Sequence, residues 1–226
     1  MARYRFKSKL FATKEEAETV RNLLETKLIG KAVMGITSVD TSPYGEFAYA
    51  EGLVDDAKAE IESLKEEVEN WYDSLPEGFQ NGEKGDQLQE AMNGLDEIIS
   101  NCDGVDFGDN PFEEDPSAVQ FRVDGSISGK RLRQKTVFTM IQEIVSGFSL
   151  VVEETGGSRS ARLSEADNDI SIARGIIEGL ASNINTDVED VDQKDDLAET
   201  KSKLEEIFQG LDGIDCGSVE FPGMYS

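Results

Sequence analysis

Asp187, Glu189, Asp190, Asp192, Asp195 and Asp196 place six carboxylates within ten residues, a dense set of oxygen ligands. Such a set is the chemistry of a hard divalent cation. No start between 187 and 192 supplies both the glycine at position six and the glutamate at position twelve that a helix–loop–helix calcium site requires. The cluster therefore reads as a solvated acidic loop, with no metal and no cofactor expected. Asp103, Asp106 and Asp109, interleaved with Gly104 and Gly108, read more simply as a helix exit. Gly125-Ser126-Ile127-Ser128-Gly129-Lys130 ends in Gly-Lys but spaces its glycines by three residues rather than four, so it is not a phosphate loop. The absence of histidine removes catalytic triads, His-ligated zinc and imidazole switches near neutral pH. Acidic pairs are so common that none is singled out as a general acid and base. The expectation is a protein that is not an enzyme.

A second acidic set is carried by a helix. Ala57, Ile61, Leu64, Val68, Trp71 and Leu75 step by four and three, the a/d seam of a helix packed against a partner. Asp55, Asp56, Glu60, Glu62, Glu66, Glu67, Glu69 and Asp73 fall off that seam and must face water or a partner. Leu88, Ala91, Leu95, Ile98 and Cys102 form the returning seam, and Pro76–Gly82 supplies the Pro and Gly that punctuate the turn. Leu163, Ala166, Ile170, Ala173, Ile177, Leu180 and Ile184, then Leu197, Leu204, Ile207 and Leu211, repeat the pattern. Each pair reads as an antiparallel helical hairpin, with arms such as 53–75 roughly 35 Å long.

The hairpins are halves of a repeat. At an offset of 109, Ile61 falls on Ile170, Leu95 on Leu204, and Asp103-Gly104-Val105-Asp106 on Asp212-Gly213-Ile214-Asp215. At an offset of 117, Leu10 falls on Ile127, Leu24 on Ile141 and Gly30 on Gly147. Residues 3–10 alternate, with Tyr4, Phe6 and Leu10 expected inward and Arg3, Arg5, Lys7 and Lys9 outward. Thr13 and Glu16 form a capping box for a helix that turns Ala17, Val20, Leu24 and Leu28 inward and stops at Gly30; a strand over 32–40 follows. The counterpart is a strand over 119–127, a helix carrying Val137, Ile141 and Val145, a stop at Gly147, and a strand over 148–153. The predicted fold is α+β, a tandem duplication of a module made of a small β-α-β head and a long helical hairpin. Residues 1–116 are the first copy (head 1–47, hairpin 48–102) and 117–226 the second (head 118–153, hairpin 158–211).

Charge follows this division. The 226 residues carry 47 acidic and 22 basic side chains, net −25. Residues 1–47 sum to +2, 48–117 to −18, 118–150 to +3 and 151–226 to −12. Residues 48–102 carry net −12, about one charge per 3 Å of hairpin, against one per ~1.7 Å for duplex DNA. The bland reading is a solubilising polar face. The repeated segregation and the scarcity of compensating lysines favour a surface that occupies a basic protein, with no direct nucleic acid expected. The basic patch, Arg3, Arg5, Lys7 and Lys9 with Lys130, Arg131, Arg133 and Lys135, reads as a complement to the acidic hairpins, within the chain or between copies.

No apolar run reaches the length of a membrane span, and no apolar stretch follows the basic start as a secretory signal requires. A cytoplasmic protein without a membrane partner is expected. Cys102 and Cys216 have neither metal spacing nor a CxxC arrangement and read as reduced packing residues, with a disulfide as the alternative.

The segment Asn70-Trp71-Tyr72-Asp73-Ser74-Leu75-Pro76-Glu77-Gly78-Phe79-Gln80 resembles one found in uncharacterised proteins of tailed bacteriophages and prophages. In those proteins a tryptophan near a helix end precedes Pro-Glu and a second helix. Arg159-Ser160-Ala161-Arg162-Leu163-Ser164-Glu165-Ala166 resembles the opening of the first helix of that family. The likeness covers the hairpins and not the heads, and the second copy lacks the Trp and the Pro-Glu. It implies a phage origin rather than a function. With the charge pattern, that origin favours a partner in the host, a nucleic-acid-binding or defence protein antagonised by DNA-like charge. The alternative is a structural or assembly module of a phage complex, self-associating through basic heads and acidic hairpins.

Overall fold

The computed structural model describes residues 2–28, 32–129, 134–153, 158–186 and 191–222. Its elements are β1 (Ala2–Ser8), α1 (Lys14–Leu28), β2 (Ala32–Asp40), α2 (Pro43–Ser74), α3 (Glu77–Gln80) and α4 (Glu83–Asp103), then β3 (Val119–Gly129), α5 (Gln134–Gln142), β4 (Phe148–Glu153), α6 (Arg159–Asn183) and α7 (Val191–Asp212). The fold is α+β, and its contacts divide the chain into two units. Residues 1–45 and 114–157 form a sheet unit; 46–113 and 158–226 form a helical unit. The grouping by contact thus differs from the expected division at 116/117, because like parts of the two halves pack together.

In the sheet unit the two expected heads are not separate. Their four strands make one antiparallel sheet in the order β2-β3-β1-β4. Element sequence and strand order are those of the split β-α-β arrangement called ferredoxin-like. A two-stranded head has too little apolar face to stand alone, whereas four strands bury one face under α1 and α5. Tyr4 and Phe6 of β1 lie opposite Ile127 and Gly125 of β3 and share a core with Leu24, Leu28, Val137 and Ile141. Gly125 is required by packing, since a Cβ there would sit 2.7 Å from both the Phe6 ring and the Met34 side chain.

The expected inward Leu10 is 39 % exposed. The strand ends at Ser8, whose hydroxyl accepts the Val123 N–H at 2.8 Å, and Phe11 takes the inward place through an isolated bridge to Phe121. Ala17, Leu24 and Leu28 of α1 are buried as expected, and Thr13 Oγ accepts the Glu16 N–H at 3.3 Å. The expected stop at Gly30 lies outside the described residues.

The first hairpin arm begins earlier than residue 48. Asp40 accepts the Ser42 N–H at 2.9 Å, Ser42 Oγ accepts the Gly45 N–H at 3.1 Å, and Pro43 opens α2 where its missing N–H costs nothing. The helix runs 32 residues, about 48 Å. The two hairpins also do not stand apart: α2, α4, α6 and α7 bury one continuous core, with Ile61, Leu64, Leu95, Ile177, Leu204 and Ile207 almost fully enclosed. A single hairpin would leave half of each seam wet, and each such side chain contributes about 1.5–3 kcal/mol when buried.

The two hairpins leave their second helices through the same bonds, 109 residues apart. Gly104 N–H donates to the carbonyls of Ser100 and Asn101, and Gly213 N–H to those of Gln209 and Gly210. Val105 N–H reaches Cys102, and Ile214 N–H reaches Leu211. Asp106 Oδ1 then accepts the Gly108 N–H at 3.0 Å, as Asp215 Oδ1 accepts that of Gly217 at 2.9 Å. The exits are exchanged between hairpins. Val105 lies against Gly210 of α7 and Val219 against Gly94 of α4, where a Cβ would stand 3.2 and 2.7 Å away.

Candidate functional site

Helix α2 sorts its acidic residues by direction. With 3.6 residues per turn, Asp55, Glu62, Glu66, Glu69 and Asp73 share one outward stripe, and all five are exposed. Among the described residues Asp55, Asp56, Glu66 and Asp73 have no ion-pair partner. Glu62 and Glu69 are flanked by Lys58 and Lys65, one turn earlier, at 3.8 and 3.5 Å. These lysines turn toward α4. Lys58 meets Asp103, and Lys65 meets Asp96 at 2.6 Å. The hydrogen bonds to Asp103 and Asp96 are the main cause that raises each ammonium above its ordinary pKa.

Glu60 and Glu67 differ from the other six in meeting cations of another helix. Both are partly buried, and Arg162 of α6 donates Nε to Glu60, Nη1 to Glu67 and Nη2 to Ser63. The bond to Glu60, then that to Glu67, holds the guanidinium's pKa above its usual value. Arg159 adds a second contact to Glu67 at 3.5 Å and stacks 4.9 Å from the Trp71 ring, whose other cation is Lys84 at 5.2 Å. The two segments that carry the sequence resemblance, around Trp71 and around Arg159–Arg162, are therefore in contact. Counting lysines along α2 missed this, because the neutralising arginines belong to another helix, about a hundred residues away.

The remaining sequence candidates are dispersed. Asp187, Glu189 and Asp190 lie outside the described residues, as do Lys130, Arg131 and Arg133. Asp192 belongs to α7, and Asp195 and Asp196 are exposed on it. Among the described residues no three acidic, Cys or His side chains are placed to hold a metal ion. Arg3, Arg5 and Lys7 are spaced along β1; Arg5 and Lys7 are exposed, and Lys7 lies opposite Asp124. Lys9 lies past the strand with its ammonium 5.7 Å over Phe11, and Lys135 is exposed on α5. The sheet face opposite Tyr4 and Phe6 also carries Arg122 and Asp124, ion-paired at 3.0 Å. Among the described residues the strand registers place no aromatic residue on that face.

Two recesses lie in the helical unit. One, about 310 Å³, is bordered by Gly78, Phe79, Gly82, Glu83, Lys84 and Gln87 beside the hairpin turn. The other, about 200 Å³, is lined by Ser160, Leu163, Ser164, Asp167, Cys216, Gly217 and Val219. Cys102 and Cys216 are buried free thiols. Burial pushes the Cys216 thiol up to about 12, with the Asp167 carboxylate adding to the effect. It is a protonated packing group at neutral pH and not a nucleophile.

No helix among the described residues is long and apolar enough to cross a membrane. Comparison with protein-family models, with curated proteins and with solved structures gives no match.

Proposed function

We propose that this protein is an acidic, non-catalytic binding module whose α2 face occupies a basic surface on another protein and excludes nucleic acid from it. The observation that carries this reading is how completely charge separates between the units. The helical unit contains nine basic and 36 acidic residues, net −27; the sheet unit contains thirteen basic and eleven acidic, net +2. Folding offsets part of the negative charge through Arg162, Lys58 and Lys65, and among the described residues it leaves Asp55, Glu66 and Asp73 of the outward stripe without an ion pair.

The stripe from Asp55 to Asp73 places five carboxylates along about 27 Å, roughly one per 7 Å. That is about fourfold sparser than the charge on duplex DNA. Imitation of the polyanion therefore rests on the summed field of the helical unit and not on a carboxylate for each phosphate. Tandem duplication is part of the proposal, supported by the matched helix exits and by the equivalent burial of Ile61 and Ile170, Leu95 and Leu204, and Ile98 and Ile207. The phage resemblance and the acidic face together support a partner among host nucleic-acid-binding or defence proteins, with the cytoplasm as part of the proposal.

The test is to neutralise the stripe (Asp55→Asn, Glu62→Gln, Glu66→Gln, Glu69→Gln, Asp73→Asn) and measure release of bacterial proteins from a duplex-DNA column. Wild type should release a discrete set at low salt and the neutralised protein should not. Equal release by both overturns the proposal.

A further inference from the structure

Strand β2 is an edge of the sheet, and its own nine residues carry few of the devices that keep edges from pairing. Its sequence, Ala32-Val33-Met34-Gly35-Ile36-Thr37-Ser38-Val39-Asp40, has no proline and no ionisable side chain before Asp40. Natural edges of this length are normally guarded by lysine, proline, a bulge or a covering element. All nine residues pair with β3 in one unbroken register, so no bulge twists the edge away. Val33 is 77 % exposed, the highest exposure of any large apolar residue described. The opposite edge, β4, is shorter at six residues.

We infer that the free edge of β2 pairs antiparallel with β2 of a second copy, joining two four-stranded sheets into one of eight strands. Three observations select a second copy over a foreign peptide. First, the strand is self-complementary. A two-fold axis through Ile36 sets Val33 opposite Val39, Met34 opposite Ser38 and Gly35 opposite Thr37, with the same face of both sheets aligned and no like charges opposed. Second, recognition of a foreign strand by edge addition draws its specificity from side-chain pockets. Neither described recess is lined by a residue of this strand. Third, the edge belongs to the unit of net +2, the part of a −25 chain where two copies approach with least repulsion.

Electrostatics then fixes the sign of the salt effect. The repulsion between two −25 chains is screened by added salt, while backbone pairing is not, so association strengthens as salt rises. This is opposite to the salt response of the acidic face toward a basic partner, and opposite to self-association of basic heads with acidic hairpins.

The experiment is sedimentation equilibrium of the full chain from about 10 to about 300 µM, at about 0.05 and about 0.5 M NaCl. It uses wild type, Val33→Lys and Val33→Thr. Val33 is exposed enough that both variants should keep the wild-type circular dichroism and Tm. Wild type should dimerise more strongly at the higher salt. Val33→Lys should raise the dimer dissociation constant at least tenfold, and Val33→Thr should leave it within about threefold. Amide exchange over 33–39 should slow as protein concentration rises. A monomer at every concentration and salt overturns the inference. So does a dimer indifferent to Val33→Lys, one that weakens with salt, or protection of 33–39 that appears only when a foreign peptide is added.

Discussion

Arg162 of α6 binds both Glu60 and Glu67 of α2, and its side chain is 23 % exposed, so its loss leaves Glu60 without its cation and Glu67 with Arg159 alone. Arg162→Met should destabilise the protein by about 1–3 kcal/mol in urea unfolding, and most of that should return when Glu60→Gln and Glu67→Gln are added. Full additivity of the three changes would refute the network. Gly125 is judged by the same measurement. Gly125→Ala should cost about 1–3 kcal/mol, because the Phe6 ring and Met34 must move, whereas Gly35→Ala meets nothing within 4 Å and should change stability by under about 1 kcal/mol. Cys216 gives a pH dependence with a definite sign. Its folded pKa of about 12 lies above the ordinary 9.0, so the folded state holds its proton more tightly than the unfolded chain does. The stability this supplies is complete below pH 9.0 and is lost as pH rises toward about 12. Wild type should lose more stability than Cys216→Ala between about pH 8 and about pH 10.5. Equal losses would show that the thiol titrates normally.

At the scale of elements, the outward stripe of α2 and the Arg162 pair predict different phenotypes from similar glutamates. Glu66→Gln and Asp73→Asn should leave urea unfolding within about 0.5 kcal/mol of wild type and weaken partner binding, while Glu60→Gln should do the reverse. The helices themselves were legible in the sequence. The a/d steps of Ile61, Leu64 and Val68, and of Ile170, Ala173 and Ile177, are local signals, and all six residues are buried. The start of α2 was also written locally, in Ser42 followed by Pro43, but the strand pattern before it masked the signal. Leu10 misled because alternation says nothing about where a strand ends. What could not be read were pairings between distant residues. Phe6 faces Gly125, and Arg162 reaches Glu60 across 102 positions; such partners are selected by the shared core and leave no trace in local periodicity.

For the molecule as a whole, like parts of the two halves of the chain combine: strands with strands into one sheet, hairpins with hairpins into one four-helix core. The consequence is a concentration of charge. A sequence that alternates +2, −18, +3 and −12 becomes one nearly neutral unit and one of −27. The proposed recognition depends on that field, so it should fall steeply with ionic strength, while any dimer formed through β2 should grow. The most direct test is elution of a bacterial lysate from duplex-DNA resin by the purified protein, repeated from about 0.05 to about 0.5 M NaCl. The expected result is release of a discrete protein at low salt, fading as salt rises and absent with the stripe-neutralised variant. Release that persists at high salt, or that the neutralised variant matches, would contradict the proposal that the acidic face occupies a nucleic-acid-binding surface.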